Sequence, residues 1–272
     1  MTTVAVNEMD VFYEEQGSGD EVVLFVQHSG QSKNEMLSLL PPEYHIFIVD
    51  LPGYGRSTNL KKFRGFELWS NDIYKLTEKL NLKKFIYIGT SMTGIVGFHL
   101  ALEHPEIIKG LIPIVSIPVS NVPLPGPEEQ KAIDSGTVEE HTAVTQKGFL
   151  FPKSTTDKER LRRRESAQRN LGQRRETTDR EALSLLQEQI LLTKESREKL
   201  VPRLKDIKAP TLLLLGAHDY SNPLDEAIIS AVSIPGSKAV FFEDYGHGLS
   251  LESPEKVADE IIMFVNDLNR NK

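Results

Sequence analysis

Residues 85–94 read Phe85-Ile86-Tyr87-Ile88-Gly89-Thr90-Ser91-Met92-Thr93-Gly94. The four leading residues make a continuous apolar run, the pattern of a strand buried on both faces. It ends in Gly-x-Ser, and a small-residue run able to open a helix follows. A serine on so tight a strand-to-helix turn is held in a strained backbone with its hydroxyl exposed. Small neighbours let strand and helix approach each other there. The helix N-terminus beside the serine favours developing negative charge. A Gly-x-Ser match alone also suits a serine that merely caps a helix. The strand before it and the helix after it make Ser91 a candidate nucleophile.

Working outward, similar runs recur at Val22–Val26, His45–Val49, Leu111–Val115, Thr211–Leu215 and Ala239–Phe242. Helical patterns separate them. Ser32 and Glu35 have capping-box spacing before Met36, Leu37, Leu39 and Leu40. Phe66, Trp69, Ile73, Leu76 and Leu80 recur at the helical period. Ser253-Pro254 reads as an N-cap with proline at the first helical position, and Val257, Ile261, Phe264 and Val265 line one face behind it. Strand and helix in alternation predict an α/β fold, a mainly parallel sheet with helices on both faces. Val4–Glu14 alternates and contains turn residues, so an antiparallel leading hairpin is expected there. From about Asn121 to Pro210 no strand run occurs. The stretch opens on the turn-rich Val122-Pro123-Leu124-Pro125-Gly126-Pro127. Thr178 and Glu181 then offer a second capping-box spacing before Leu183, Leu186 and Ile190. An inserted helical subdomain is expected over 121–209, with the core formed by 1–120 and 210–272.

A serine hydroxyl needs a base, and the base needs an orienting carboxylate. His247 lies between Gly246 and Gly248, just past the last expected strand. Asp219 lies just past the one before it, in Gly216-Ala217-His218-Asp219. All three therefore follow the C-terminal ends of strands, where folds of this class bind ligands. Their chain order is Ser, Asp, His.

These residues carry a resemblance to the α/β-hydrolase family over nearly the whole chain outside the central stretch. Four motifs match in order: Asp50-Leu51-Pro52-Gly53-Tyr54-Gly55-Arg56-Ser57, the elbow at Ser91, Gly216-x-x-Asp219, and Gly246-His247 followed by Glu252-Ser253-Pro254-Glu255. The resemblance implies an eight-stranded, mainly parallel sheet with a helical cap between strands six and seven. It also implies Ser91 as nucleophile, His247 as base and Asp219 as acid. The backbone amides of Met92 and Gly30 would then form the oxyanion hole. Two positions depart from the family's pattern. Thr93 stands where the elbow usually has Gly, and its β-branched side chain is expected to crowd the turn. Ser29 stands in the usual His-Gly-x loop, which here reads His28-Ser29-Gly30.

Composition narrows the field. The chain has 272 residues, a formal net charge of -7 and no cysteine. The charge argues against generic nucleic-acid binding. The absent cysteine removes disulfides, thiolate metal sites and a cysteine nucleophile. No run reaches the length of a membrane span, and Met1–Asp20 lacks the pattern of a signal peptide, so a cytoplasmic protein is expected. No His/Asp/Glu cluster has metal-ligand spacing. His28 is read as bracing its loop, His218 as structural, His99 and His104 as packing or surface residues, and Asp50 and Arg56 as stabilising theirs. Between Lys158 and Arg180 nine basic residues stand against four acidic ones. A solvated helix with pairs such as Glu165–Arg169 accounts for them. Steering of an anionic substrate is the alternative.

The expected activity is hydrolysis of a small-molecule carboxylic ester or lactone without a cofactor, through an acyl-enzyme at Ser91. Ser29, Val122, Leu124, Phe149, Phe151, Leu183 and Leu186 are the candidate pocket residues. A serine at the elbow, rather than aspartate, disfavours the dehalogenase and epoxide hydrolase branches of the family. Carbon–carbon bond hydrolysis, cofactor-free lyase or oxygenase chemistry, and a ligand receptor with residual turnover stay open. The sequence does not specify oligomeric state.

Overall fold

The computed structural model describes residues 2–28, 34–58, 64–118, 158, 195–219 and 221–270. The chain enters through the expected antiparallel hairpin, β1 (Thr2–Val6) and β2 (Met9–Gln16). Its two-residue turn, Asn7-Glu8, has both residues at positive φ (47° and 65°). That backbone twist matches the right-handed twist of the strands it joins. Six strands follow: β3 (Glu21–Gln27), β4 (Tyr44–Asp50), β5 (Phe85–Thr90), β6 (Ile108–Ile114), β7 (Leu212–Gly216) and β8 (Lys238–Phe242). All eight form one sheet in the order β1-β2-β4-β3-β5-β6-β7-β8. From β4 through β8 every neighbouring pair is parallel.

The apolar runs work because both faces are covered. Leu24, Val26, Phe47, Val49, Phe85, Tyr87, Leu213 and Leu215 belong to one buried cluster. Their strand neighbours Val23, Phe25, Ile46, Ile48, Ile86, Ile88, Leu212 and Leu214 belong to the other. Alternate residues thus feed opposite layers, as a pleated strand requires. From β3 the connection to β4 runs one way across the sheet, and the later connections run the other way. Right-handed crossovers must then put their helices on opposite faces. Accordingly α1 (Glu35–Ser38) places Met36 and Leu37 in the second cluster, while α2 (Phe66–Lys79) places Trp69, Ile73 and Leu76 in the first. The first also receives Val96, Phe98 and Leu100 of α3 (Met92–Glu103). After β7 comes α4 (Leu224–Ser233). After β8 come α5 (Leu249–Glu252) and α6 (Pro254–Arg270), whose Val257, Ile261 and Val265 close the second cluster.

Two local expectations are corrected. The cap of α1 is Asn34, whose side chain accepts the Leu37 N–H, so the helix starts beyond the expected box; Ser32 lies outside the described residues. Strand β8 is not buried on both faces, because it is the sheet's outer strand and has no neighbour beyond it. The capping-box spacing at Thr178 and the Arg-rich stretch, Lys158 apart, also lie outside the described residues. Of the stretch read as an insertion, its end is described. Residues 195–200 are helical, a 3₁₀ turn follows over Val201–Asp206, and Leu200, Leu204 and Ile207 sit in the first core cluster. Ion pairs Lys199–Glu67, Arg203–Glu103 and Arg197–Glu226 tie this segment to α2, α3 and α4. Among the described residues no helix is long and apolar enough to cross a membrane.

The same segment engages His99, a packing residue of α3 that is buried and bonded through Nε2 to Ser196 Oγ at 2.8 Å. Burial lowers its pKa from the ordinary 6.5 to about 4. Between those values the unfolded chain holds a proton on this imidazole that the folded chain does not. Stability therefore falls as pH drops from 6.5 towards 4, by up to about 3 kcal/mol, and this group takes nothing further below that. Urea midpoints measured at pH 7 and 4.5 should drop less for His99→Gln than for the unmodified chain. Equal drops would show that His99 is not the group responsible.

Candidate active site

Strands β3 and β5 are adjacent, and the chain leaves them in opposite directions across the sheet. The C-terminal ends of these two strands are therefore a topological switch point, the place where such sheets bind ligands. Ser91 follows β5 directly. Its backbone has φ 56° and ψ -125°, a conformation that L-residues avoid and that is maintained by what surrounds it. The Ser91 N–H donates to Ile114 O at 2.9 Å, and the Gly94 N–H donates to Ser91 O at 2.9 Å.

Thr93 does not crowd this turn; it fastens it. Its hydroxyl accepts the Thr90 N–H at 2.8 Å and donates to Thr90 O at 2.9 Å. Its carbonyl accepts the buried Tyr87 hydroxyl at 2.6 Å. Burial pushes the Tyr87 phenol well above its ordinary pKa, which keeps it a donor. Glycine is needed one residue later. A Cβ on Gly94 would lie 2.4 Å from Ser116 Oγ and 2.5 Å from Ser116 Cβ. Gly94→Ala should therefore destabilise the fold by about 1–3 kcal/mol. Adding Ser116→Gly should recover most of that loss in a double-mutant cycle of thermal melts. Strictly additive effects would contradict the contact.

Asp219 reaches the Ser91 end of the sheet from the loop after β7, and His247 from the loop after β8. The two loops touch, because a Cβ on Gly216 would sit 2.5 Å from the carbonyl oxygens of both Tyr245 and Gly246. The His218 N–H donates to Tyr245 O at 3.0 Å. Across this junction His247 Nδ1 lies 2.8 Å from Asp219 Oδ2, and His247 Nε2 lies 2.9 Å from Ser91 Oγ. Asp219 is buried, and its other oxygen accepts the Ser221 N–H at 2.9 Å. The three residues selected from the sequence thus form one continuous hydrogen-bonded chain. Such a chain can move a proton from the serine hydroxyl to the imidazole while the carboxylate holds the ring.

Met92 opens α3, so its backbone N–H is among those with no acceptor within the helix. Gly30 and Ser29 lie outside the described residues, as do Val122, Leu124, Phe149, Phe151, Leu183 and Leu186. Asp50 and Arg56 do brace their loop. Arg56 donates to Asp50 from its backbone N and from Nε, and to Glu14 from Nη1, while Gln27 donates to Asp50 Oδ1. One residue was not foreseen. Asn222, buried beside Asp219, donates from Nδ2 to Asp219 Oδ2 at 2.6 Å. In the sequence it reads only as part of a turn before Pro223. A cavity of about 680 Å³ lined by Glu21, Lys84, Ile108 and Lys109 opens at the opposite, N-terminal ends of the strands. It holds none of these groups. Among the described residues no cluster of three His, Asp or Glu side chains could hold a metal ion.

Known proteins resemble this chain in sequence and in fold. The sequence model of the family described as alpha/beta hydrolase fold matches residues 25–254. Monoacylglycerol lipase abhd6-B of Xenopus laevis is 27% identical over 86% of this chain and 71% of its own length. The pimeloyl-[acyl-carrier protein] methyl ester esterase of Vibrio vulnificus (strain YJ016) is 25% identical over 94% of this chain and 98% of its own. Among solved structures, the esterase EaEST from Exiguobacterium antarcticum superposes with a TM-score of 0.75 at 22% identity. That match covers 97% of this chain and 99% of that one, and it establishes likeness of fold.

Proposed function

The chain belongs to the alpha/beta hydrolase fold family, and we propose that it hydrolyses carboxylic esters through an acyl-enzyme at Ser91. The observation that carries this reading is the contact chain from Ser91 Oγ through His247 to Asp219, at 2.9 and 2.8 Å. In that chain His247 Nδ1–H donates to the carboxylate, which makes Nε2 the acceptor of the serine proton. Ser91 Oγ then forms a bond to the ester carbonyl carbon. Negative charge collects on the carbonyl oxygen, where the Met92 N–H and the start of α3 stabilise it. Gly30 is the proposed second donor. As the tetrahedral intermediate collapses, His247 returns its proton to the departing alkoxide. Water, activated by the same imidazole, attacks the acyl-enzyme, and the acid and free serine result. Every proton in this cycle passes through His247. The steps use only groups of this chain and water.

Support for an ester substrate comes from the relatives, a methyl ester esterase and a monoacylglycerol lipase. A lactone is the cyclic form of the same bond and would open by the same steps. Residues 121–209 are proposed as a cap over the Ser91 end of the sheet, with their end, from residue 195, docked on the core. Val122, Leu124, Phe149, Phe151, Leu183, Leu186 and Ser29 are its proposed pocket residues. The proposed setting is cytoplasmic.

The test is hydrolysis of p-nitrophenyl esters from acetate to decanoate, beside a lactone panel and a vinylogous diketone. Turnover of esters or lactones, with a chain-length optimum, is expected. Turnover of the diketone alone would replace the reading with carbon–carbon bond hydrolysis. No turnover of any of them would contradict it.

A further inference from the structure

Ser91, His247 and Asp219 are joined by a ring of contacts that closes through Asn222. Starting from the nucleophile, the Ser91 N–H is bonded to Ile114 O at the end of β6. The next residue, Val115, has φ 43°, a left-handed conformation that a β-branched side chain strongly disfavours. It is held there by its N–H bond to Leu214 O at 2.8 Å, and its carbonyl accepts Asn222 Nδ2 at 2.9 Å. The same Nδ2 donates to Asp219 Oδ2 at 2.6 Å, which in turn accepts from His247 Nδ1, while Nε2 of that ring returns to Ser91 Oγ. The orientation of the Asn222 amide follows from its partners. Val115 O and Asp219 Oδ2 are both acceptors, so swapping amide oxygen and nitrogen would set an oxygen against both. The two hydrogens on Nδ2 are matched to two acceptors. The amide is buried, and His247 Nδ1 lies 3.4 Å from it.

We propose that Asn222 is a positioning residue for the Asp219–His247 pair, a role that rests on the ester-hydrolase reading above. It clamps the Oδ2 that faces the imidazole to the end of β6, the strand that also fixes the Ser91 backbone. Acid and nucleophile are thereby held to one reference point. Without the clamp the carboxylate can rotate about its own side-chain bonds, and the imidazole it orients goes with it. Small displacements at reacting atoms cost rate more than binding.

Asn222→Leu keeps the side chain's approximate volume and removes both donors. Asn222→Asp keeps its shape and sets a carboxylate beside Asp219. Active sites are titrated with diethyl p-nitrophenyl phosphate so that unfolded chains do not count. Per titrated site, kcat should fall about 10- to 100-fold in each variant with KM little changed. The far-downfield proton resonance of the His247–Asp219 hydrogen bond, read without substrate, should shift or broaden. Normal kcat per site with an unchanged resonance would assign Asn222 to stability alone and overturn the inference. If the unmodified chain turned over no ester, the hydrolase reading would fail separately, and the resonance would still decide whether Asn222 positions the pair.

Discussion

Ser91→Ala is expected to lower kcat on a p-nitrophenyl ester by about 10,000-fold or more, with KM changed little. The size follows from the chemistry. Ser91 Oγ is hydrogen-bonded to the imidazole Nε2, and without it water must attack the ester directly. What survives is catalysis by the oxyanion donors and by substrate placement. The Thr93 hydroxyl beside Ser91 is engaged with the Thr90 backbone. Ser116, two residues beyond the end of β6, is buried and packed against Gly94. The variant should remain folded, because the elbow is held by bonds of the Ser91 backbone and of Thr93 rather than by the serine hydroxyl. Steady-state kinetics on protein of unchanged melting temperature checks this. A rate within tenfold of the unmodified chain would remove Ser91 from the mechanism.

Asp219→Asn should cost about as much, roughly 10,000-fold in kcat, although the substitution preserves shape. The carboxylate faces donors on every side: His247 Nδ1 and Asn222 Nδ2 at Oδ2, and the Ser221 N–H at Oδ1. An amide offers one oxygen and one NH₂ group. If its oxygen faces His247, its NH₂ opposes the Ser221 N–H. If it turns, its NH₂ faces His247 Nδ1, and the ring must carry its proton on Nε2. That tautomer cannot accept from Ser91. Both orientations leave a buried mismatch, so stability should fall as well. Asp219→Asn with nearly full kcat would show that the carboxylate does not orient the base.

The strands were legible because burial on both faces leaves an uninterrupted apolar run, and their alternation with helical patterns requires a parallel sheet. Ser91, Asp219 and His247 were legible for a related reason: each follows a strand end, and strand ends are where the chain's periodicity breaks. Thr93 was misjudged, since its type announces bulk but not that its hydroxyl would close the turn upon Thr90. The run at Ala239–Phe242 looked like its neighbours because sequence pattern carries no information on which strand lies outermost. Asn222 was invisible for a different reason. Its decisive partner, Val115, is 107 residues away, and nothing local marks an asparagine before proline as more than a turn residue.

The most direct measurement is covalent labelling with diethyl p-nitrophenyl phosphate, followed by peptide mass spectrometry and residual ester activity. The account predicts about one equivalent of p-nitrophenol released per chain, the phosphoryl group on Ser91, loss of activity in proportion to labelling, and no labelling of Ser91→Ala. Phosphorylation at another residue, or ester turnover that survives complete labelling of Ser91, would contradict an acyl-enzyme at this serine.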